Sequence, residues 1–184
     1  MSRYSRLIAR ALAEKYDLHD DYIEHVFMFS PLHDIGKIGI PDDVLMKPGK
    51  LDSDEMEIMK SHTIKGREII DEILVNFGLD GVDHVNILRN IAEYHHEAVD
   101  GAGYPAGKKG GDIPLEARIV AVADIFDALT SQRCYKRAWS NEQAFETLSE
   151  LAGEKLDQDC VSALLENIEE IERIQQMYRQ DKFG

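Results

Sequence analysis

The sequence is poor in cysteine, in long apolar runs and in positive charge. Its two cysteines, Cys134 and Cys160, are too few for a disulfide framework and suit a reducing compartment, so we predict a cytoplasmic protein. The apolar runs are far shorter than the roughly 20 residues of a membrane helix, so we expect no membrane span in this segment. With 21 Lys and Arg against 35 Asp and Glu, the formal net charge is −14. Proteins that bind nucleic-acid polymers usually carry the opposite balance, so we expect no such partner.

The patterning of the chain favours a single all-α domain. A chain of 184 residues corresponds to one domain, or two at most, and no internal repeat or linker divides it. We therefore predict one domain over residues 1–184. Strand signals are scarce, whereas helical periodicity recurs about seven times, over residues 3–16, 20–35, 54–76, 82–97, 115–130, 140–152 and 158–180, with an interruption of the third stretch near Ser61. Residues 98–114 are rich in glycine and predict one long loop.

Four of the seven histidines lie in dense polar clusters: His33, His62, His95 and His96. His33 and Asp34 end a predicted helix, and Lys37 follows closely enough for all three to approach one site. His95 and His96 are adjacent, so on a helix their side chains diverge by about 100°. This geometry suits two metal ions about 3.5–4 Å apart better than one structural zinc. The alternatives are a surface polar turn at His33 and a solvated histidine pair.

The segment over residues 117–129 is apolar nearly all round, yet it contains two carboxylates. Such a helix should be buried. Asp124 and Asp127 lie one turn apart on one face of it. A buried carboxylate is costly unless a cation, a hydrogen-bond network or a metal compensates it. An ion pair with Arg118 or Arg133 is one explanation, and metal ligation explains Asp124 better because histidines are also available.

Two further features indicate a ligand. The loop from Asp100 to Pro105, DGAGYP, has glycines where close backbone approach is wanted and carries Tyr104 at its tip. A plain loop is the alternative explanation. Arg133 and Lys136 place positive charge after the apolar helix, and a guanidinium suits bidentate contacts with phosphate.

Taken in order, these residues resemble the HD-GYP domain, the branch of the HD superfamily that contains cyclic di-GMP phosphodiesterases. The match covers about residues 3–155. Its motifs are His33-Asp34-Ile35-Gly36-Lys37, Lys60-Ser61-His62, His95-His96-Glu97, the DGAGYP loop, and Ala123-Asp124 through Asp127-Ala128-Leu129 and Arg133. One such motif is weak evidence, whereas five in order are specific. The resemblance implies an HD-superfamily helical bundle around a metal centre.

The resemblance also implies a role for each matching residue. The implied metal ligands are His33, Asp34, His62, His95, His96 and Asp124, with Asp34 bridging. The implied substrate-binding residues are Lys37, Tyr104, Asp127, Arg133 and Lys136. Asp34 and Lys37 are the implied catalytic residues, because Lys37 is placed to stabilise developing charge or to protonate the leaving oxygen.

The number and type of metal ion follow from the same comparison. The family usually carries a further ligand histidine on its first helix, and residues 1–18 contain none. We therefore expect two divalent ions rather than three. Imidazole and carboxylate ligands without a thiolate favour iron or manganese.

The implied reaction is hydrolysis of cyclic di-GMP to pGpG, GMP or both, by hydroxide from a water that bridges the two ions. Two alternatives stay open: a catalytically weak cyclic di-GMP sensor or partner-docking domain, and another nucleotide phosphohydrolase of the HD superfamily. The resemblance further implies an N-terminal receiver or sensor module and a diguanylate cyclase partner at the Gly103-Tyr104-Pro105 loop. We expect the last helix to pack on its own domain, with a homodimer contact as the alternative.

Overall fold

The computed structural model describes residues 1–79, 81–82, 84–132 and 138–180. Its α-helices are α1 Ser2–Ala11, α2 Ala13–Tyr16, α3 Asp20–Phe29, α4 Asp42–Leu45, α5 Ser53–Lys60, α6 His62–Asn76, α7 Val85–Tyr94, α8 Leu115–Thr130, α9 Asn141–Leu151, α10 Gln158–Leu165 and α11 Ile168–Gln180. Short 3-10 turns occupy Ser30–Leu32, Ile35–Gly39 and Gly110–Asp112. In these described ranges the one β-type pairing is an isolated bridge between Ala152 and Leu156. The predicted all-α helical bundle is confirmed.

Three predicted helices are each divided into two in the structure, and a fourth ends early, so the structure has more helices than the sequence predicts. Residues 3–16 form α1 and α2, and residues 54–76 form α5 and α6, which meet at the predicted interruption near Ser61. The predicted second helix ends at Phe29, because Pro31 lacks an N–H donor and the chain continues to Gly39 largely in 3-10 turns. The predicted last helix is two helices, α10 and α11. At the break, the side-chain amide of Asn167 donates to the carbonyl oxygen of Ala163 at 2.8 Å, a local bond that competes with helix propagation.

The apolar helix α8 forms the centre of the main core. Val120, Val122 and Phe126 are fully buried in it, as the sequence predicts. Phe126 meets the ring of Tyr4 edge-on at a centroid distance of 4.9 Å, which joins α8 to α1. Apolar residues of α10 and α11 belong to the same core, namely Val161, Leu164, Ile171 and Ile174. The last helices therefore pack on their own domain, and a homodimer contact stays a prediction.

The glycine-rich loop is fixed at its start by the connection between α9 and α10. The N–H groups of Val99 and Asp100 donate to the carbonyl oxygens of Lys155 and Glu154, at 3.2 and 2.9 Å. The Lys155 ammonium in turn donates to the Asp100 carboxylate at 2.6 Å. These bonds hold the start of the loop in place. Among the described residues, no helix combines the length and the apolar character that crossing a membrane requires.

Candidate metal centre

Three parts of the fold bring four potential ligands to one point. Asp34 lies between the 3-10 turns that follow α3, His62 is the first residue of α6, and His95 and His96 follow the end of α7. One ligand atom from each of these residues lies within 4.8 Å of the others. His62 and His95 are buried, and Asp34 and His96 are partly buried. We call these four residues the histidine–aspartate cluster.

Backbone carbonyl groups fix the proton positions on three histidine rings near this point. In each ring, Nδ1 lies within hydrogen-bond distance of a carbonyl oxygen. The distance is 2.8 Å from His33 to Ser30, 2.8 Å from His62 to Met59, and 2.9 Å from His95 to Ile91. A carbonyl oxygen only accepts, so Nδ1 carries a proton in each ring, and in the neutral form of the ring Nε2 presents its lone pair. This outer hydrogen bond is the usual arrangement of metal-ligating histidines.

The Nε2 atoms of two of these histidines, His62 and His95, lie close to the same carboxylate oxygen. The Nε2 atoms of His62 and His95 are 3.4 Å apart, and they lie 3.4 and 3.8 Å from Oδ1 of Asp34. This oxygen is buried, and no group in the described part of the chain donates a hydrogen bond to it. Three electron-rich atoms that face one another in a buried site are unfavourable unless a cation lies among them. The residues therefore fit a metal ion.

His33 and Asp124 adjoin the cluster on its other side. Nε2 of His33 lies 3.3 Å from Oδ2 of Asp34 and 3.6 Å from Oδ1 of Asp124. Burial opposes the charge of His33, but hydrogen bonds to Asp124 and Asp34 raise its pKa to about 9. The ion pair that was an alternative for Asp124 is not formed by Arg118, which binds the Asp157 carboxylate at 2.7 Å.

The protonation states of the cluster match those of a metal-binding donor set. Burial and the neighbouring imidazoles lower the pKa of His95 well below its ordinary value and that of His96 to about 4. Burial likewise lowers the pKa of His62. The pKa of Asp34 stays far below its ordinary value because hydrogen bonds from His33 and Lys37 outweigh burial. At neutral pH the cluster thus offers neutral imidazoles and an ionised carboxylate, the forms that bind metals.

Lys37 and Tyr104 are the two predicted substrate-binding residues that the structure places beside the cluster. The Lys37 ammonium donates to Oδ2 of Asp34 at 2.6 Å. The ring of Tyr104 stacks on His96, with centroids 4.8 Å apart and an interplanar angle of 29°. Burial, with the nearby charge of Asp34 and Asp124, raises the pKa of Tyr104 to about 12. Its hydroxyl is therefore a hydrogen-bond donor at neutral pH.

Of the other three predicted substrate-binding residues, Asp127 alone belongs to the part of the chain that the structure describes. Oδ1 of Asp127 accepts a hydrogen bond from the amino group of Met1 at 2.8 Å, and no described contact joins Asp127 to the cluster. Asp127 lines a separate open groove of about 840 Å³ with Tyr4 and Trp139. Arg133 and Lys136 lie outside the described residues.

The residue that sequence reasoning left without a role is Glu97. Glu97 belongs to the His95-His96-Glu97 motif, but nothing in the sequence around it indicates that its side chain is buried. In the structure it is 5% exposed. Its two carboxylate oxygens accept from the N–H groups of Ala106 and Lys108, at 2.7 and 3.0 Å. The sequence does not show these hydrogen bonds between Glu97 and the glycine-rich loop, because they form only in the folded chain.

A family model described as HD domain matches residues 1–160. The chain belongs to the HD domain family. Members of this family bind divalent metals, for which the histidine–aspartate cluster offers the donors. A solved structure described as Bd1817, a HDG"Y"P protein from Bdellovibrio bacteriovorus, shares the fold of this HD domain, with a TM-score of 0.63 and 20% sequence identity over 91% of this chain and 51% of that one.

Two curated relatives are closer in sequence to this HD domain. The cyclic di-GMP phosphodiesterase response regulator RpfG of Xanthomonas campestris is 46% identical over 91% of this chain and 42% of its own length. The 3′3′-cGAMP-specific phosphodiesterase 2 of Vibrio cholerae is 40% identical over 89% of this chain and 30% of its own length. The chain therefore spans less than half the length of these relatives. The resemblance to HD-GYP domains is confirmed.

Proposed function

We propose that this HD domain is a metal-dependent phosphodiesterase that hydrolyses cyclic di-GMP to pGpG, GMP or both. The observation that carries the proposal is the convergence of the Nε2 atoms of His62 and His95 on the buried Oδ1 of Asp34, to which no described group donates. The substrate is supported by the relative from Xanthomonas campestris, whose name states this activity.

The proposed metal centre would hold two divalent ions, iron or manganese. Its ligands would be His33, Asp34, His62, His95, His96 and Asp124. The bridging role of Asp34 is supported by the different surroundings of its two oxygens: Oδ1 faces His62 and His95, whereas Oδ2 faces His33 and Lys37. When bound, such ions acidify a water molecule and polarise the phosphoryl oxygens.

The side chains around the cluster have separate tasks in the proposed reaction. Lys37, held by Asp34 at 2.6 Å, brings a positive charge to stabilise the negative charge that develops on the phosphate, or a proton for the leaving ribose oxygen. The neutral hydroxyl of Tyr104 donates a hydrogen bond to the substrate. Arg133 and Lys136 bind its phosphates, a role that the motif resemblance supports. Asp127 stays a proposed substrate contact on the same ground.

The proposal is tested by incubating the protein with cyclic di-GMP after adding Mn²⁺ or Fe²⁺, with the metal content measured on the same sample. We expect turnover that depends on the metal. Binding of cyclic di-GMP without turnover would instead identify a sensor or docking domain, and turnover of nucleotide monoesters alone would identify another HD phosphohydrolase. The relative from Vibrio cholerae favours 3′3′-cGAMP as a second candidate substrate, so both cyclic dinucleotides should be compared by kcat/KM.

Several predictions about the whole protein belong to the same proposal. An N-terminal receiver module is supported by the words "response regulator" in the name of the Xanthomonas campestris relative. A diguanylate cyclase partner at the Gly103-Tyr104-Pro105 loop and a cytoplasmic location stay predictions. A homodimer also stays a prediction, which light scattering on the intact chain tests directly, since a monomeric mass would contradict it.

A further inference from the structure

Glu97 is a buried carboxylate that ties two parts of the chain together. It directly follows the cluster residue His96, and its oxygens accept the N–H groups of Ala106 and Lys108 across nine and eleven residues. The side chain is 5% exposed, so water does not replace these bonds. Hydrogen bonds to an ionised acceptor are stronger than neutral ones, and a buried acceptor that loses its donor is costly. Glu97 therefore anchors the far side of the glycine-rich loop.

The anchored loop is the one that places Tyr104 at the site. At position 103 the backbone approaches so closely that a Cβ would lie 2.2 Å from the nitrogen of Ala98 and 2.5 Å from Cα of Glu97, which only glycine tolerates. The next N–H group, that of Tyr104, donates to the carbonyl oxygen of His96 at 3.1 Å. The loop therefore folds back onto the residues around Glu97, and the Tyr104 ring comes to rest on the His96 ring.

The Tyr104 ring also contacts the side chain of Lys60. The ammonium group of Lys60 lies 5.7 Å from the centroid of Tyr104, within the range of a cation–π contact. The Tyr104 ring thus belongs to a loop whose second half, at Ala106 and Lys108, is held by two hydrogen bonds to the Glu97 carboxylate. Without those bonds, the loop would keep the bonds at its start and the bond from the Gly110 N–H group to the Val99 carbonyl oxygen, but the backbone around Ala106 and Lys108 would lose its link to Glu97.

We propose that Glu97 is a positioning residue that holds Tyr104 in its substrate-binding place by anchoring the glycine-rich loop. This inference rests on the proposed function, in which Tyr104 contacts the cyclic dinucleotide. It predicts that Glu97 acts on substrate binding through Tyr104 and leaves the metal ligands unaffected.

The first test measures hydrogen exchange of the loop amides in Glu97→Gln. A glutamine offers one carbonyl oxygen and an NH₂ group, so it satisfies one of the two N–H donors only. We expect at least one of the amides of Ala106 and Lys108, the one that loses its acceptor, to exchange about tenfold faster or more. The matched control is Glu116→Gln, since Glu116 is also buried and also accepts from two groups, those of Tyr22 and Asn90. That variant should leave loop exchange unchanged, and unchanged exchange in Glu97→Gln would overturn the proposal.

The second test separates positioning from a general structural role. With cyclic di-GMP, Glu97→Gln should raise KM several-fold while kcat and metal content stay close to wild type. In a Tyr104→Ala background the same change should add nothing further, because the residue through which Glu97 acts is gone. Full additivity in that cycle, or loss of metal from Glu97→Gln, would overturn the proposal. If the wild-type protein does not hydrolyse cyclic di-GMP, the proposed function fails, and the exchange experiment still decides whether Glu97 anchors the loop.

Discussion

Gly36 lies in the turn that follows Asp34 and packs against the backbone at the start of α6, and its replacement by alanine should damage the site. A Cβ at this position would lie 1.9 Å from the carbonyl oxygen of His62 and 2.4 Å from the nitrogen of Gly66. Favourable contacts between non-bonded heavy atoms lie at about 3.5–4.0 Å, so helix α6 must retreat by about 1.5 Å or more. The obstructing atoms belong to the backbone, so no change of side-chain rotamer can relieve the clash.

The expected cost follows from this displacement. Overpacking a core costs about 1–3 kcal/mol and sometimes more, and the backbone clash places Gly36→Ala at about 3 kcal/mol or above. The same shift separates Asp34 from His62, and a misplacement of about 1 Å can reduce a reaction rate about 100-fold. We expect a lower urea midpoint, a reduced metal content and a turnover lowered at least to that degree.

The control variant is Gly111→Ala, because a Cβ at that position meets no atom within 4 Å. Its free energy of unfolding should stay within about 0.5 kcal/mol of wild type. The reasoning is refuted if Gly36→Ala retains the wild-type midpoint and the wild-type metal content. Loss of stability in both variants alike would also contradict it, since the argument depends on the local lack of space.

Two further predictions concern stability away from the site. Tyr22→Phe removes the donor at 3.0 Å from the buried carboxylate of Glu116, and we expect a loss of about 1–3 kcal/mol in urea unfolding, which an unchanged midpoint would contradict. Asp71 accepts from Arg67 and Arg89 at 2.6 Å each, and although burial opposes its charge, these hydrogen bonds lower its pKa below the ordinary 3.8. Its contribution is therefore complete above pH 3.8 and is lost as the pH falls towards the lowered pKa, so Asp71→Asn should lose less stability than wild type over that acidic range. Parallel acid unfolding curves would show that the lowered pKa does not affect stability.

Helix periodicity predicts those parts of the fold that depend on local chemistry. Helix α8 begins and ends where the apolar run over residues 115–130 predicts, because Pro114 precedes it and the run itself marks the core. The α10–α11 break was not predictable, since apolar residues continue in register across Asn167. Whether an asparagine side chain bonds to water or to the carbonyl of the preceding turn depends on tertiary context.

The candidate site was predictable as a set of residues and not as an arrangement. The motifs name Asp34, His62 and His95 without saying that their acceptor atoms face one another within 3.8 Å. That geometry depends on the close approach of α6 to the turn at Gly36, which joins segments distant in sequence. The anchoring role of Glu97 was missed for the same reason, because its partners become neighbours only when the loop folds back.

The most direct test of the metal centre is the metal content of Asp34→Ala, measured together with cyclic di-GMP turnover on the same samples. Oδ1 of Asp34 lies among the histidine nitrogens, and no neighbouring described carboxylate occupies that place. We expect about two ions per chain in the wild type, and in the variant the loss of at least one ion and of turnover, with both retained in the surface variant Asp71→Ala. Asp34→Ala with full metal content and full turnover would contradict the account.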